Sequence, residues 1–165
     1  LGVGHEHIHA GLASAAAVFG RVERLQVAGR DVAILLVKNP AGANEVLRTL
    51  VLEDGQVDLW LALNDRIADG RDVSWIWDAD FELLSGRVRR VMCSGTRAEE
   101  MALRLKYAGI DAQAIDVDRD LGVSLDAAVA NDGDGRPLYA LPTYTALIEL
   151  RDILADRGLA GRWSD

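Results

Sequence analysis

The stretch VAILLVKNPAGANEVLRTLVLEDGQVDLWLAL, residues 32–63, decides the fold. Val32 to Val37 is continuously apolar, as a strand covered on both faces must be. Gly42 punctuates, and Ala43, Val46, Leu47, Leu50 and Val51 then fall at helical spacing. Val57 to Leu63 is a second apolar strand. A strand, a helix and a strand in succession form a crossover unit, which pairs its strands in parallel.

The same alternation continues downstream. Arg87 to Cys93 reads as a strand, and Thr96 with Glu99 forms a capping-box pattern for the helix that follows. That helix carries Ala98, Met101, Ala102, Leu105 and Ala108 on one face, pairs Glu100 with Arg104, and stops at Gly109. A short strand is expected over Ile110 to Ile115, a helix over Ser124 to Asn131, and a turn over residues 131–135. Leu138 to Leu141 is the last strand, and a closing helix runs from Thr143 to Arg157, ended by Gly158. Upstream, Glu23 to Val27 and Val32 to Val37 are joined by Ala28-Gly29-Arg30-Asp31, the signature of a hairpin. The expected fold is therefore α/β: a Rossmann-like, doubly wound, mostly parallel sheet of about six strands with one antiparallel edge strand.

Composition narrows the function. The 165 residues suit one domain, half of them are apolar, and the net charge of −8 argues against nucleic-acid binding. No apolar run is long enough to span a membrane and no signal peptide is visible, and a cytoplasmic setting is expected from the lone cysteine. The chain begins LGVGHEHIHAGL without an initiator Met, as expected for part of a longer protein. Its one cysteine, Cys93, lies in a strand-like run and is expected to be a buried thiol. GxxxxGK[ST], GxGxxG and GxSxG patterns are absent, so the chain brings no complete phosphate loop and no serine elbow.

Chemistry is expected in the loops that follow the strands, because open parallel sheets bind ligands beyond their carboxyl ends. Lys38 and Asn39 leave the first parallel strand there, a point charge for a phosphate and a two-way hydrogen-bonding amide. Ser94-Gly95-Thr96-Arg97 is a strand-to-helix junction of the kind that favours anions. His5, His7 and His9 alternate, with His5 and His9 at helical metal-ligand spacing, although surface histidines explain them more simply. The richest segment is NDRIADGRDVSWIWDADFE, residues 64–82, with six acidic side chains, two arginines and two tryptophans. Asp65 and Asp69 flank turn-like residues, and Asp78, Asp80 and Glu82 alternate as in a short strand or a first helical turn. Trp75 and Trp77 share one side if that segment is extended, as interface anchors or as core. Asp72 follows Gly70 and Arg71 at a loop tip, where a carboxylate can orient a partner's imidazole. A cation held among Asp65, Asp69 and Asp72 is the competing expectation.

The segments LLVKNPAGANEVLR (35–48), LNDRIADGRDVSWIWDADFE (63–82), SGTRAEEMALRLKYAG (94–109) and LPTYTALIELR (141–151) resemble the C-terminal domain of the MurT-type, Mur-ligase-like subunit of lipid II isoglutaminyl synthase. The resemblance covers the chain from about Phe19 onward. It implies a Mur ligase C-terminal domain over residues 19–165, with residues 1–18 the tail of a central ATPase domain or a linker. It further implies ATP-dependent amidation of the D-glutamate α-carboxylate of lipid II, through an acyl phosphate, with ammonia from a separate GatD-type glutaminase that uses a Cys nucleophile and a His. By the same resemblance this domain docks the glutaminase and lends it a third triad member at the position of Asp72, with Arg71, Trp75 and Trp77 at the interface. Arg21, Lys38 and Asn39 would face ATP, which with magnesium is bound mainly by the central domain. No metal site is expected in this chain, since the family's four-cysteine zinc ribbon has no counterpart in it. Lipid II would bring the enzyme to the inner face of the membrane, and this chain alone is expected to be inactive.

Overall fold

The computed structural model describes residues 22–130 and 135–160. Arg21, the three histidines, the proposed 1–18 segment and most of the expected 131–135 turn lie outside them. The chain opens with the hairpin β1 (Glu23–Val27) and β2 (Arg30–Ile34), paired antiparallel. Ala28 and Gly29 turn between them, both at positive φ (50° and 83°), as a two-residue turn matching strand twist requires. Beyond Ile34 the backbone stays paired: Leu35 N–H donates to the Ala140 carbonyl (2.8 Å) and Val37 N–H to that of Pro142 (3.0 Å). The apolar run is thus one extended segment as far as Val37.

Helix α1 (Pro40–Leu50) follows, with Pro40 in its first turn and the Asn39 side chain accepting from Gly42 N–H (2.8 Å). Next come β3 (Val57–Ala62), two 3-10 turns (Ser74–Trp77 and Phe81–Leu84), β4 (Val88–Ser94) and helix α2 (Ala98–Tyr107). Strand β5 (Ile115–Val117), helix α3 (Leu121–Ala130), strand β6 (Leu138–Pro142) and helix α4 (Tyr144–Asp156) complete the described chain. The sheet order is β1-β2-β6-β3-β4-β5, and every pair except β1–β2 is parallel. This is the expected doubly wound sheet of six strands with one antiparallel edge strand.

Both faces are covered. On one, α1, α2 and the 3-10 turns pack Val46, Leu47, Leu50, Met101, Leu105 and Phe81 against Leu59, Leu61, Val91 and Cys93. On the other, α3 and α4 pack Leu125, Val129, Leu147, Leu150 and Leu154 against Trp60, Ala62 and Ala140. Trp60 is wholly buried, and its indole N–H reaches the Ser124 hydroxyl (2.9 Å). Near the start of β3, buried Asp58 is clamped by Arg30 and Arg89, while Arg30 also donates to the Ala128 carbonyl (2.7 Å) and that of Arg136 (3.0 Å). Burial alone would raise the Asp58 pKa; the arginines outweigh it and hold the carboxyl below its ordinary range.

Several local expectations are corrected. The strand expected over Ile110 to Ile115 starts only at Ile115, because Ile110 N–H donates back to the Leu105 carbonyl and completes the cap of α2. Asp111 then accepts from Gln113 N–H (2.9 Å) and turns residues Ala112–Ala114 into a 3-10 turn. Helix α3 begins three residues earlier than Ser124. There Asp120 accepts from Val123 N–H (2.8 Å), and Ser124 becomes an interior residue. The capping box of α2 does not form. Thr96 donates to Asp65 (2.8 Å), Glu99 binds Arg119 (2.8 Å), and the helix is flanked by Arg97 without a side-chain cap. The Glu100–Arg104 pair is absent too, since Glu100 pairs with Arg97 (2.5 Å) and Arg104 turns inward.

Candidate functional site

Residues 64–84 leave the carboxyl end of β3 and run back along the face covered by α1 and α2 to the start of β4. Their base is a buried polar network. Asn64 donates its amide to Thr145 Oγ1 (3.0 Å) and Glu149 Oε1 (3.2 Å), and its Oδ1 accepts from Thr96 N–H (3.0 Å). Gly95 passes so close that a Cβ there would lie 2.7 Å from both Asn64 Oδ1 and the Leu63 carbonyl oxygen. Asp65 accepts from the Thr96 hydroxyl (2.8 Å) and Arg97 Nε (2.7 Å), which in that order hold its carboxyl below the ordinary range. Asp69 reaches across to α4, accepting from Thr145 N–H (2.7 Å), the Thr145 hydroxyl and Arg66 N–H (3.2 Å).

These contacts settle two expectations. The 94–97 junction does not offer free donors to an anion: Gly95 N–H serves the Arg119 carbonyl, Thr96 N–H serves Asn64, and Arg97 N–H serves the Leu63 carbonyl. Asp65 and Asp69 are likewise committed to different protein partners and do not converge with Asp72 on a cation. Among the described residues no group of three or more His, Cys, Asp or Glu side chains is arranged to hold a metal ion.

Asp72 stands apart from these neighbours. Gly70, at φ +84°, lifts the chain away after Asp69, and Asp72 is exposed at the tip. Its Oδ1 accepts from Ser74 N–H (2.8 Å), and the contacts with Ser74 lower its pKa. The carboxylate is therefore ionised, oriented by its own backbone and open to solvent. Arg71 beside it is also exposed.

The next turn corrects the extended reading of the tryptophans. Ser74–Trp77 is a 3-10 turn, so Trp75 and Trp77 point different ways. Trp75 is half-buried against the core, whereas Trp77 is 50% exposed and meets Tyr107 edge to face, centroids 5.8 Å apart. Asp78, Asp80 and Glu82 accordingly occupy turns rather than a strand. Asp80 N–H donates to Asn44 Oδ1 (2.7 Å), and Glu82 accepts from Arg104 (2.8 Å), whose guanidinium lowers the Glu82 pKa.

Sequence reasoning missed Arg104. Its side chain is buried, donating through Nε to the Ile76 carbonyl (2.9 Å) and through Nη2 to the Ala79 carbonyl (2.9 Å). It also lies 5.3 Å from the Trp77 ring centroid and 5.5 Å from that of Phe81. A helical arginine flanked by apolar residues looks like a solvated charge, and only its position on the inward face of α2 could have signalled otherwise.

Lys38 and Asn39 lie at the carboxyl end of β2 on the same rim, both exposed. One strand, β6, separates β2 from β3, so the two strand ends stand about 10 Å apart. Asn39 spends its Oδ1 on the cap of α1. No described helix is long and apolar enough to cross a membrane.

Comparison with known proteins agrees with this architecture. The profile of the family described as MurT ligase C-terminal matches residues 36–147. The chain is 35% identical over 158 residues to the lipid II isoglutaminyl synthase (glutamine-hydrolyzing) subunit MurT of Streptococcus pneumoniae (strain ATCC BAA-255 / R6), covering 95% of this chain and 35% of that protein. It is 37% identical over 155 residues to the subunit of the same name in Staphylococcus aureus (strain COL), covering 93% and 35%. The chain thus spans about a third of the length of these relatives. In fold it is similar to folylpolyglutamate synthase from Thermotoga maritima, with a TM-score of 0.57 and 18% identity over 89% of this chain and 33% of that one.

Proposed function

The chain belongs to the MurT ligase C-terminal family, and from that premise we propose that it acts within glutamine-dependent amidation of lipid II, docking a glutaminase subunit and supplying Asp72 to its active site. The observation that carries this reading is Asp72 itself. It is an ionised, exposed carboxylate at the tip of the loop, where Asp65, Asp69 and Glu82 are committed to partners inside the chain, while the exposed Asp78 and Asp80 lie further on, in the turns after Trp77. A carboxylate set outward in this way can hold the N–H of a histidine on another protein. It would select that histidine's tautomer and stabilise the imidazolium that forms when the histidine takes a proton from a cysteine thiol. The partner's Cys-His pair would then hydrolyse glutamine to glutamate and ammonia.

The ligase half of the reaction would use ATP to convert the D-glutamate α-carboxylate to an acyl phosphate, from which ammonia displaces phosphate to give D-isoglutamine. This chain's part there is small. Lys38 offers one point charge and Asn39 one side-chain amide at the exposed carboxyl end of β2, and Arg21, outside the described residues, is the third residue proposed to face the nucleotide. The sequence carries neither GxxxxGK[ST] nor GxGxxG, and by the family resemblance ATP and magnesium are proposed to sit mainly on the central domain. The GatD-type identity of the glutaminase, the cytoplasmic location at the inner membrane face and the inactivity of this domain by itself belong to the same proposal.

Trp77 favours a docking role beside the catalytic one, since a half-exposed indole in the turn that follows the Asp72 loop tip is the side-chain type that anchors interfaces. The test is glutaminase turnover and assembly of the complex carrying Asp72→Asn. Lost turnover with intact assembly is expected. Wild-type turnover with intact assembly would leave docking as the domain's only role.

A further inference from the structure

Asp72 sits between two fixed points. Three residues before it, Asp69 is tied to the first turn of α4 by Thr145 N–H (2.7 Å) and the Thr145 hydroxyl. Asn64 in turn donates to that same hydroxyl oxygen (3.0 Å), so the tie runs back to the end of β3. Four residues after Asp72, the Ile76 carbonyl accepts from Arg104 Nε (2.9 Å), and Arg104 Nη2 holds Ala79 and Glu82. Ile76 N–H donates to the Val73 carbonyl (3.1 Å), and Ser74 N–H holds Asp72 Oδ1 (2.8 Å). Hydrogen bonds joined through the backbone of Ile76 and the Val73–Ser74 peptide therefore connect α2 to the Asp72 carboxylate. Between the two anchors Gly70 N–H donates back to the Ile67 carbonyl (3.3 Å), so the span that carries Asp72 is short.

We propose that Arg104 and Asp69 are positioning residues that fix the Asp72 carboxylate for its work on the glutaminase histidine; this rests on the role proposed for Asp72 above. Neither touches reacting atoms. Arg104 is 2% exposed, and Asp69 is turned toward α4. Their value is geometric, because a misplacement of about 1 Å at a reacting group can cost on the order of a hundredfold in rate. The planar fork of arginine is what serves three acceptors at once, and lysine cannot reproduce it. Asn at position 69 keeps one acceptor for Thr145 N–H, but its amide nitrogen cannot accept from the hydroxyl.

The experiment is a double-mutant cycle on the assembled complex with its glutaminase, using Arg104→Lys, Asp69→Asn, Asp72→Asn and the doubles with Asp72→Asn. Glutaminase kcat, KM for glutamine and subunit affinity are measured for each. The expected result is a fall in kcat of about ten- to a hundredfold for Arg104→Lys and Asp69→Asn, with KM and subunit affinity within about twofold of wild type. In the Asp72→Asn background neither change lowers kcat further, since both act through Asp72. Should Arg104→Lys prevent folding, Asp69→Asn, at a part-buried surface position, decides alone. Additive losses in the Asp72→Asn background would overturn the proposal and mark both residues as general supports of the fold. So would wild-type kcat in both single variants while Asp72→Asn is impaired. A wild-type rate for Asp72→Asn would overturn the underlying role of Asp72, and this proposal with it.

Discussion

Gly95→Ala is expected to destabilise this domain by about 2–5 kcal/mol, and the structure separates the two contributions. Gly95 lies at φ +89°, where an L side chain costs about 1–2 kcal/mol. A Cβ would also stand 2.7 Å from the Leu63 carbonyl oxygen, a backbone atom at the end of a central strand. Relieving that contact displaces the strand end and stretches the bond from Arg97 N–H to Leu63 (2.9 Å), an overpacking cost of about 1–3 kcal/mol. Gly29 supplies the control. Its φ of +83° is nearly the same, but a Cβ there meets nothing within 4 Å, so Gly29→Ala carries only the backbone cost of about 1–2 kcal/mol. Urea denaturation of both variants measures the difference, with a lowered midpoint at unchanged slope. Equal losses for the two variants would refute the close approach of Gly95 to β3.

Asp58→Ala leaves Arg30 charged, buried and without its carboxylate, and a loss of about 3–5 kcal/mol by denaturant titration is expected. Because the folded pKa of Asp58 is lowered, its contribution is present above the unfolded pKa and is lost as pH falls through the folded one. Acid unfolding monitored by circular dichroism below about pH 4 should therefore be shallower in Asp58→Asn than in wild type. Trp75→Ala should cost about 2 kcal/mol of stability, less than the 3–5 kcal/mol of a fully buried tryptophan. Trp77→Ala should leave stability within about 1 kcal/mol yet weaken glutaminase association by about 2 kcal/mol, which calorimetry on the complex checks. Cys93 is buried with its pKa pushed up to about 12, so a thiol reagent at neutral pH should modify it only on unfolding.

The sheet was legible because buried parallel strands are read from continuous apolar runs, and Val32–Val37 and Val57–Leu63 needed no partner to be recognised. Places where a side chain competes with the local pattern were not legible. Thr96 and Glu99 satisfy the capping-box spacing, but Asp65 and Arg119 lie close in space and outbid the helix end. Ile110 has the apolar character of a strand start, but its N–H belongs to the cap of α2. The tryptophans were misplaced for a related reason: a 3-10 turn and an extended segment share no periodicity, and the carbonyl contacts from Arg104 that stabilise the turn come from a remote helix. For the site, loop position and Gly70 pointed to Asp72, family resemblance singled it out from Asp69, and the structure gives the physical distinction. Asp69 is turned inward to Thr145 and Asp72 outward to solvent.

The central claim is that Asp72 serves the glutaminase and not the ligase chemistry. Its most direct test measures lipid II amidation by the assembled complex carrying Asp72→Asn, once with glutamine and once with an ammonium salt as nitrogen source. The account predicts loss of glutamine-driven amidation with ammonium-driven amidation at the wild-type rate, because free ammonia bypasses the partner's site. Equal loss with both nitrogen sources, or no loss with either, would contradict it.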